Sequence, residues 1–185
     1  MPLTSTQAHL LRLATLAASL VLSGCASMTE DQCRQAQWQD VGLQDGLGGE
    51  RETKILEHRQ ACSKIGIFPD EQRWLTGRAQ GLASYCTANG GWTAGLANRV
   101  YLGVCADRDE PTFLSDHRAG LVVWRTRYEL GENRDALVRL DGEMRKATSE
   151  DQKQRIREDV ARHERERDRL ILLLTSLELA GRPPR

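Results

Sequence analysis

A chain of 185 residues is enough for one domain of ordinary size. Aromatic residues make up only 5% of it and charged residues 28%, so the apolar core is expected to be modest. The formal net charge is zero, which removes any electrostatic reason to expect nucleic acid or an anionic membrane surface as a partner.

The first segment stands outside the fold. Met1 to Arg12 carries His9 and Arg12 and no acidic residue, and Leu13 to Leu22 is a predominantly apolar run that contains only Thr15 and Ser19 as polar residues. A bilayer span needs roughly 20 apolar residues, so this run is too short to be one and fits the h-region of a secretory signal. Leu22-Ser23-Gly24-Cys25 follows at once and resembles the bacterial lipobox: a branched apolar residue, two small residues, then a cysteine. Small side chains let a peptidase approach an extended backbone, and the free thiol accepts the lipid. Residues 1–24 are therefore expected to be removed and Cys25 to be lipidated. Two or three acyl chains, at about 0.8 kcal/mol per buried methylene, hold such a protein stably on a membrane. No Asp directly follows the cysteine, which points to the outer membrane facing the periplasm. Residues 25–35 read as a short polar tether.

With Cys25 lipidated, Cys33, Cys62, Cys86 and Cys105 remain. An even number in an exported domain implies two disulfides, and four cysteines allow three pairings. Cys33–Cys62 with Cys86–Cys105 is favoured because each bond closes a local loop. Wide, irregular spacings argue against zinc, which is usually held by close pairs such as C-x-x-C. His58, four residues before Cys62, is the one hint of a metal site.

Residues 36–116 form a glycine-rich core in which an aromatic residue is repeatedly followed by glycines near helical spacing. Trp38 precedes Gly42, Gly46 and Gly49. Trp74 precedes Gly77 and Gly81, and Trp92 precedes Gly95 and Gly103. Glycines three or four apart share a helical face and admit another backbone closely. These segments read as short, tightly packed helices. Arg51 to Lys64 is one helix, ended by Gly66 and Phe68-Pro69, and Glu71 to Tyr85 is another, capped by Asp70. Asn89-Gly90-Gly91 reads as a turn. Trp92 to Val104 fits a short helix or a small β-hairpin equally.

Residues 117–185 read as a helical arm. Leu130, Leu137 and Met144 repeat every seven residues, as do Ile156, His163, Leu170 and Leu177. Ser149 and Gln152 make a capping box between the two runs. The expectation is an antiparallel, coiled-coil-like hairpin, with Gly131-Glu132-Asn133 a candidate kink and Gly181, Pro183 and Pro184 as its stop. The whole reads as all-α.

Several elements together resemble a family of small proteobacterial lipoproteins described only as a domain of unknown function. They are Gly42-Leu43-Gln44-Asp45-Gly46, His58 with Cys62, the run Trp74-Leu75-Thr76-Gly77-Arg78-Ala79-Gln80-Gly81-Leu82-Ala83-Ser84-Tyr85-Cys86, and Tyr101-Leu102-Gly103-Val104-Cys105. The pattern covers about Cys33 to Gly120. Asn98-Arg99 departs from it where a further glycine is expected. The resemblance implies a lipoprotein with a helical, cysteine-bearing core, and no activity.

Candidate chemistry is sparse. Asp45, His58 and Asp70 are the residues that a ligand-binding module or hydrolase acting on cell-wall glycan would use. Their ordinary alternatives are a turn carboxylate, a histidine packed between helices and a helix cap. Asp116-His117 reads as a helix-start carboxylate and a surface imidazole. His163 sits on the seam of the arm, where a polar residue fixes register. Trp38, Trp74, Trp92 and Trp124 read as core rather than as a carbohydrate platform. No P-loop, G-x-S-x-G or H-E-x-x-H signature occurs, and the Arg-rich run Arg155 to Arg169 is interleaved with Glu and Asp as in a solvated helix face. The expectation is a non-enzymatic structural or adaptor lipoprotein without a cofactor. Its partners would be the membrane, through lipid, and an envelope protein or a second copy, through the arm. Glycan binding is the alternative, and a redox-sensing disulfide is a third reading.

Overall fold

The computed structural model describes residues 27–180. These form seven α-helices: α1 (Glu30–Gln35), α2 (Trp38–Gly48), α3 (Lys54–Cys62), α4 (Glu71–Tyr85), α5 (Ala88–Leu96), α6 (Glu110–Lys146) and α7 (Glu150–Ala180). One turn of 3-10 helix lies at Ser63–Ile65. The fold is all-α, with both disulfides paired as favoured, Cys33–Cys62 and Cys86–Cys105. The signal segment 1–24, the lipidation at Cys25 and the Gly181-Pro183-Pro184 stop lie outside the described residues.

Side-chain caps set most helix starts. Asp70 accepts from the Arg73 N–H and Asp109 from the Thr112 N–H. Ser149 and Gln152 cap α7 reciprocally, as the sequence predicts. Thr29 and Gln32 make the same box at α1, so Glu30–Gln35, expected as the end of a polar tether, is helical and pinned at the buried Cys33. Two further expectations change. Asn89-Gly90-Gly91 is not a turn but the first turn of α5, capped by Thr87, whose hydroxyl accepts from the Gly90 N–H. The small-hairpin option for Trp92–Val104 also fails, since Trp92 lies in α5 and no strand occurs among the described residues.

The core is one motif built twice. α2 and α4 run parallel, and their glycines put backbone against backbone. A Cβ added to Gly42 would lie 2.0 Å from the Trp74 carbonyl oxygen, and one on Gly46 would lie 2.2 Å from that of Arg78. From the other side, Gly77 faces the Gln39 carbonyl and Gly81 that of Leu43. α5 and the start of α6 repeat this register. Gly91 meets the Phe113 carbonyl, Gly95 that of His117, and Gly120 that of Trp92. Gly42, Gly46, Trp74, Arg78 and Gly81 thus correspond to Gly91, Gly95, Phe113, His117 and Gly120.

The ends of the first helices match as well. Gly49 and Asn98 both close their helices in the left-handed region, at φ 73° and 53°. Asparagine, the best non-glycine residue there, therefore fills the position where the resemblance leads one to expect a further glycine. The next carbonyl, of Glu50 or Arg99, accepts from the second helix, through Arg78 Nε at 2.9 Å or His117 Nε2 at 2.7 Å. Each disulfide joins the segments entering its two parallel helices, so both units are fastened at the same end.

The second unit holds the aromatic core. Tyr85 and Tyr101 each lie 4.9 Å from the Phe113 ring, and His117 stacks on Phe113 at 5.7 Å. His117, expected at the surface, is buried, because α5 covers that face of α6. The Tyr101 hydroxyl donates to Glu110 and accepts from the Cys105 N–H. Burial, and then that bond to Glu110, push its pKa up to about 12.

Helix α6 runs without a break through the expected core–arm boundary at 116/117 and through Gly131-Glu132-Asn133. Its far half pairs with α7 in the predicted antiparallel hairpin. Arg127 meets Glu178, and Asn133 Nδ2 lies 3.1 Å from His163 Nδ1. Leu170 fills the seam.

Candidate functional site

The polar side chains that come together lie in the first unit. Asp45, expected in a turn, sits within α2 and points toward α3 and α4. Its Oδ2 accepts from Trp74 Nε1 at 2.7 Å and lies 2.8 Å from His58 Nε2. His58 is buried on α3, and its Nδ1 lies 3.0 Å from the Ser27 hydroxyl. An ionised carboxylate only accepts, so in a neutral imidazole Nε2 carries the proton and Nδ1 accepts from Ser27. The order is Ser27 to His58 to Asp45, with the indole of Trp74 as second donor to the carboxylate.

Each member is placed by its helix. Glycine contacts bring α2 and α4 close enough for Asp45 to reach the indole of the fully buried Trp74. The Cys33–Cys62 bond fixes the end of α3, one turn beyond His58. A groove of about 470 Å³ opens here, lined by Ser27, Met28, Gln32, Gln44, Asp45 and His58 among others.

Chemically, the chain polarises the Ser27 hydroxyl. Acyl transfer would also require paired donors for an oxyanion. Two backbone N–H groups near Ser27 in sequence, those of Thr29 and Gln32, are already engaged in the α1 capping box. The arrangement therefore serves best as a brace that satisfies every polar atom of the buried imidazole.

Asp70 does not join this set. Its carboxylate is exposed, caps α4 and pairs with Arg73, so the expected group of Asp45, His58 and Asp70 is reduced to its first two members. Trp74 and Trp92 are buried, Trp38 is half-buried, and Trp124 stacks on Tyr128 at 5.6 Å. Among the described residues no cluster of three or more His, Cys, Asp or Glu side chains is arranged to hold a metal ion.

Sequence reasoning missed Ser27 and the indole of Trp74 as members. A signal for Trp74 was available: a buried tryptophan needs an acceptor for its N–H, and Asp45 lies on the neighbouring glycine helix. It also missed the amide of Asn133, buried opposite His163 on the arm, whose Oδ1 has no partner among the described residues.

A second groove, of about 560 Å³, runs along the arm. Leu130, Gly131, Leu137 and Ile171 line it, and Arg127, Arg134 and Arg167 rim it. Val138 and Leu172 on the same two helices are exposed.

Comparisons with the curated proteins and with the solved structures each find no match to the chain. Residues 37–122, which hold both helix pairs with all of their glycine contacts, match the family described as protein of unknown function (DUF2799).

Proposed function

We propose that this chain is a lipid-anchored envelope protein, held by Cys25 on the periplasmic face of the outer membrane, whose helical arm docks a protein partner. The lipobox-like run Leu22-Ser23-Gly24-Cys25 and the two disulfides support the compartment. Among the described residues no helix is long and apolar enough to cross a membrane, so lipid on Cys25 would supply the attachment.

The observation that carries the docking role is the arm groove. Its apolar floor of Leu130, Leu137 and Ile171 is rimmed by three arginines, the composition of a binding patch rather than of a solvated face. The rival reading, a glycan-binding or hydrolytic cleft, is weakened because Asp70 serves as a helix cap.

Photo-crosslinkers at Ile171 and Val138, introduced into the native lipidated protein in membranes, are expected to give one discrete adduct. The same probe at Phe68 or Val100, exposed apolar positions on the core, should give none. Ile171→Glu should abolish the adduct formed at Val138 while changing stability by no more than about 0.5 kcal/mol. Equal labelling at all four positions, or none at any, would contradict a docking role for the arm.

A further inference from the structure

The polar chain of the first unit ends on Ser27, two residues after Cys25. Covalent geometry keeps those two residues within roughly 7 Å of each other. The inference that follows rests on the reading that Cys25 carries the lipid. We propose that Ser27 is a latch: it fastens the start of the mature chain to His58, so that the first helix pair stands directly on the bilayer surface, with the groove beside the lipid headgroups and no free tether.

Four observations support it. The partner of Ser27 is rigid, because His58 is buried and its far nitrogen is held by Asp45, which Trp74 holds in turn. A second fastening follows immediately, with the Thr29–Gln32 capping box starting α1 and Cys33 bonding to Cys62 on the helix that carries His58.

The third observation is the second unit, which acts as an internal control. There Ala94 stands at the position of Asp45 and Phe113 at that of Trp74. Tyr101 precedes its cysteine by the same four residues as His58. Close packing of the helix pair therefore does not require the polar chain. The chain occurs only in the unit that follows the anchor, whereas the second unit continues directly from α4.

The fourth is the chemistry of the groove wall. Gln32, Gln35, Gln37 and Gln44 are uncharged amides, interspersed with Met28, Ala36 and Val41, and Asp40 is the one exposed carboxylate of the lining. Such a surface can hydrogen-bond to lipid headgroups through its four amides.

The test uses isotope-labelled lipidated protein in nanodiscs of phosphatidylethanolamine and phosphatidylglycerol. Backbone order parameters of Ser27 and Met28 should be near 0.85, and should fall below about 0.6 in Ser27→Ala. Paramagnetic headgroups should broaden the side-chain amides of Gln32, Gln35 and Gln44 strongly and the backbone of Thr148, at the far end of the arm, weakly. Inserting a Gly-Ser linker of about ten residues between Ala26 and Ser27, roughly 17 Å on average, should leave Ser27 ordered and remove most of that broadening. A mobile Ser27 in the unaltered protein, or broadening that the linker does not change, overturns the proposal. The mass of the N-terminal peptide separates the two readings. An unmodified Cys25 would sink the anchor, whereas the order of Ser27 reports on the latch with or without lipid.

Discussion

Gly77→Ala is expected to destabilise the protein by about 3 kcal/mol or more, an effect in the range of severe overpacking. Its added Cβ would lie 1.8 Å from the Gln39 carbonyl oxygen. Backbone is what it meets, so no side chain can rotate away, and α2 and α4 must move apart along their shared face. Gly46→Ala, at 2.2 Å from the Arg78 carbonyl, and Gly95→Ala, at 2.2 Å from that of His117, should behave alike because the two units share one register. Gly131→Ala supplies the opposite sign. Gly131 lies within α6 with nothing near its would-be Cβ, so alanine there should stabilise by about 0.5–1 kcal/mol through helix propensity alone. Urea unfolding of the four variants checks both signs. A neutral Gly77→Ala would mean that the helices are not in backbone contact.

Removing either disulfide is the second large expectation. The cysteines of the two bonds are 29 and 19 residues apart, and by the logarithmic dependence on loop length the entropic terms differ by only about 0.4 kcal/mol. Each bond should contribute about 3 kcal/mol. Packing decides which loss is worse. Cys86 and Cys105 lie in the cluster with Tyr85 and Phe113, so Cys86→Ala with Cys105→Ala also loosens the aromatic core. That pair should lower Tm by more than Cys33→Ala with Cys62→Ala, each by roughly 6–12 °C for a chain of this size. Differential scanning calorimetry of both double variants decides the order. Equal, small shifts would show that packing alone holds the units.

Much of the fold was legible because its signals are local. The Asp70 cap, the Ser149–Gln152 box and the seven-residue repeats each involve residues within one or two turns, and all three read correctly. Glycine spacing identified faces that approach closely, but a face does not name its partner. The parallel pairing of α2 with α4, and of α5 with α6, stayed hidden. The duplication was visible in principle, since Asp70, Trp74 and Gly81 are spaced as Asp109, Phe113 and Gly120 are. The change from tryptophan to phenylalanine, and Asp116 at the position of Gly77, concealed it.

Asn89-Gly90-Gly91 misled for a related reason. Those glycines read as backbone freedom, but Gly91 serves the contact with the Phe113 carbonyl inside a helix. His117 was misjudged because its burial depends on α5, which one helix's pattern cannot reveal. Of the candidate site, Asp45 and His58 were legible as residues, while their direct contact spans 13 residues and their links to Trp74 and Ser27 span 29 and 31.

The functional account depends on what Cys25 carries. Intact mass and fragmentation of the N-terminal peptide, taken from protein extracted from membranes, measures this directly. The account predicts a mature chain that begins at Cys25 with a diacylglyceryl thioether on its sulfur. A chain that still carries residues 1–24, or one that starts elsewhere with a free thiol at Cys25, contradicts it.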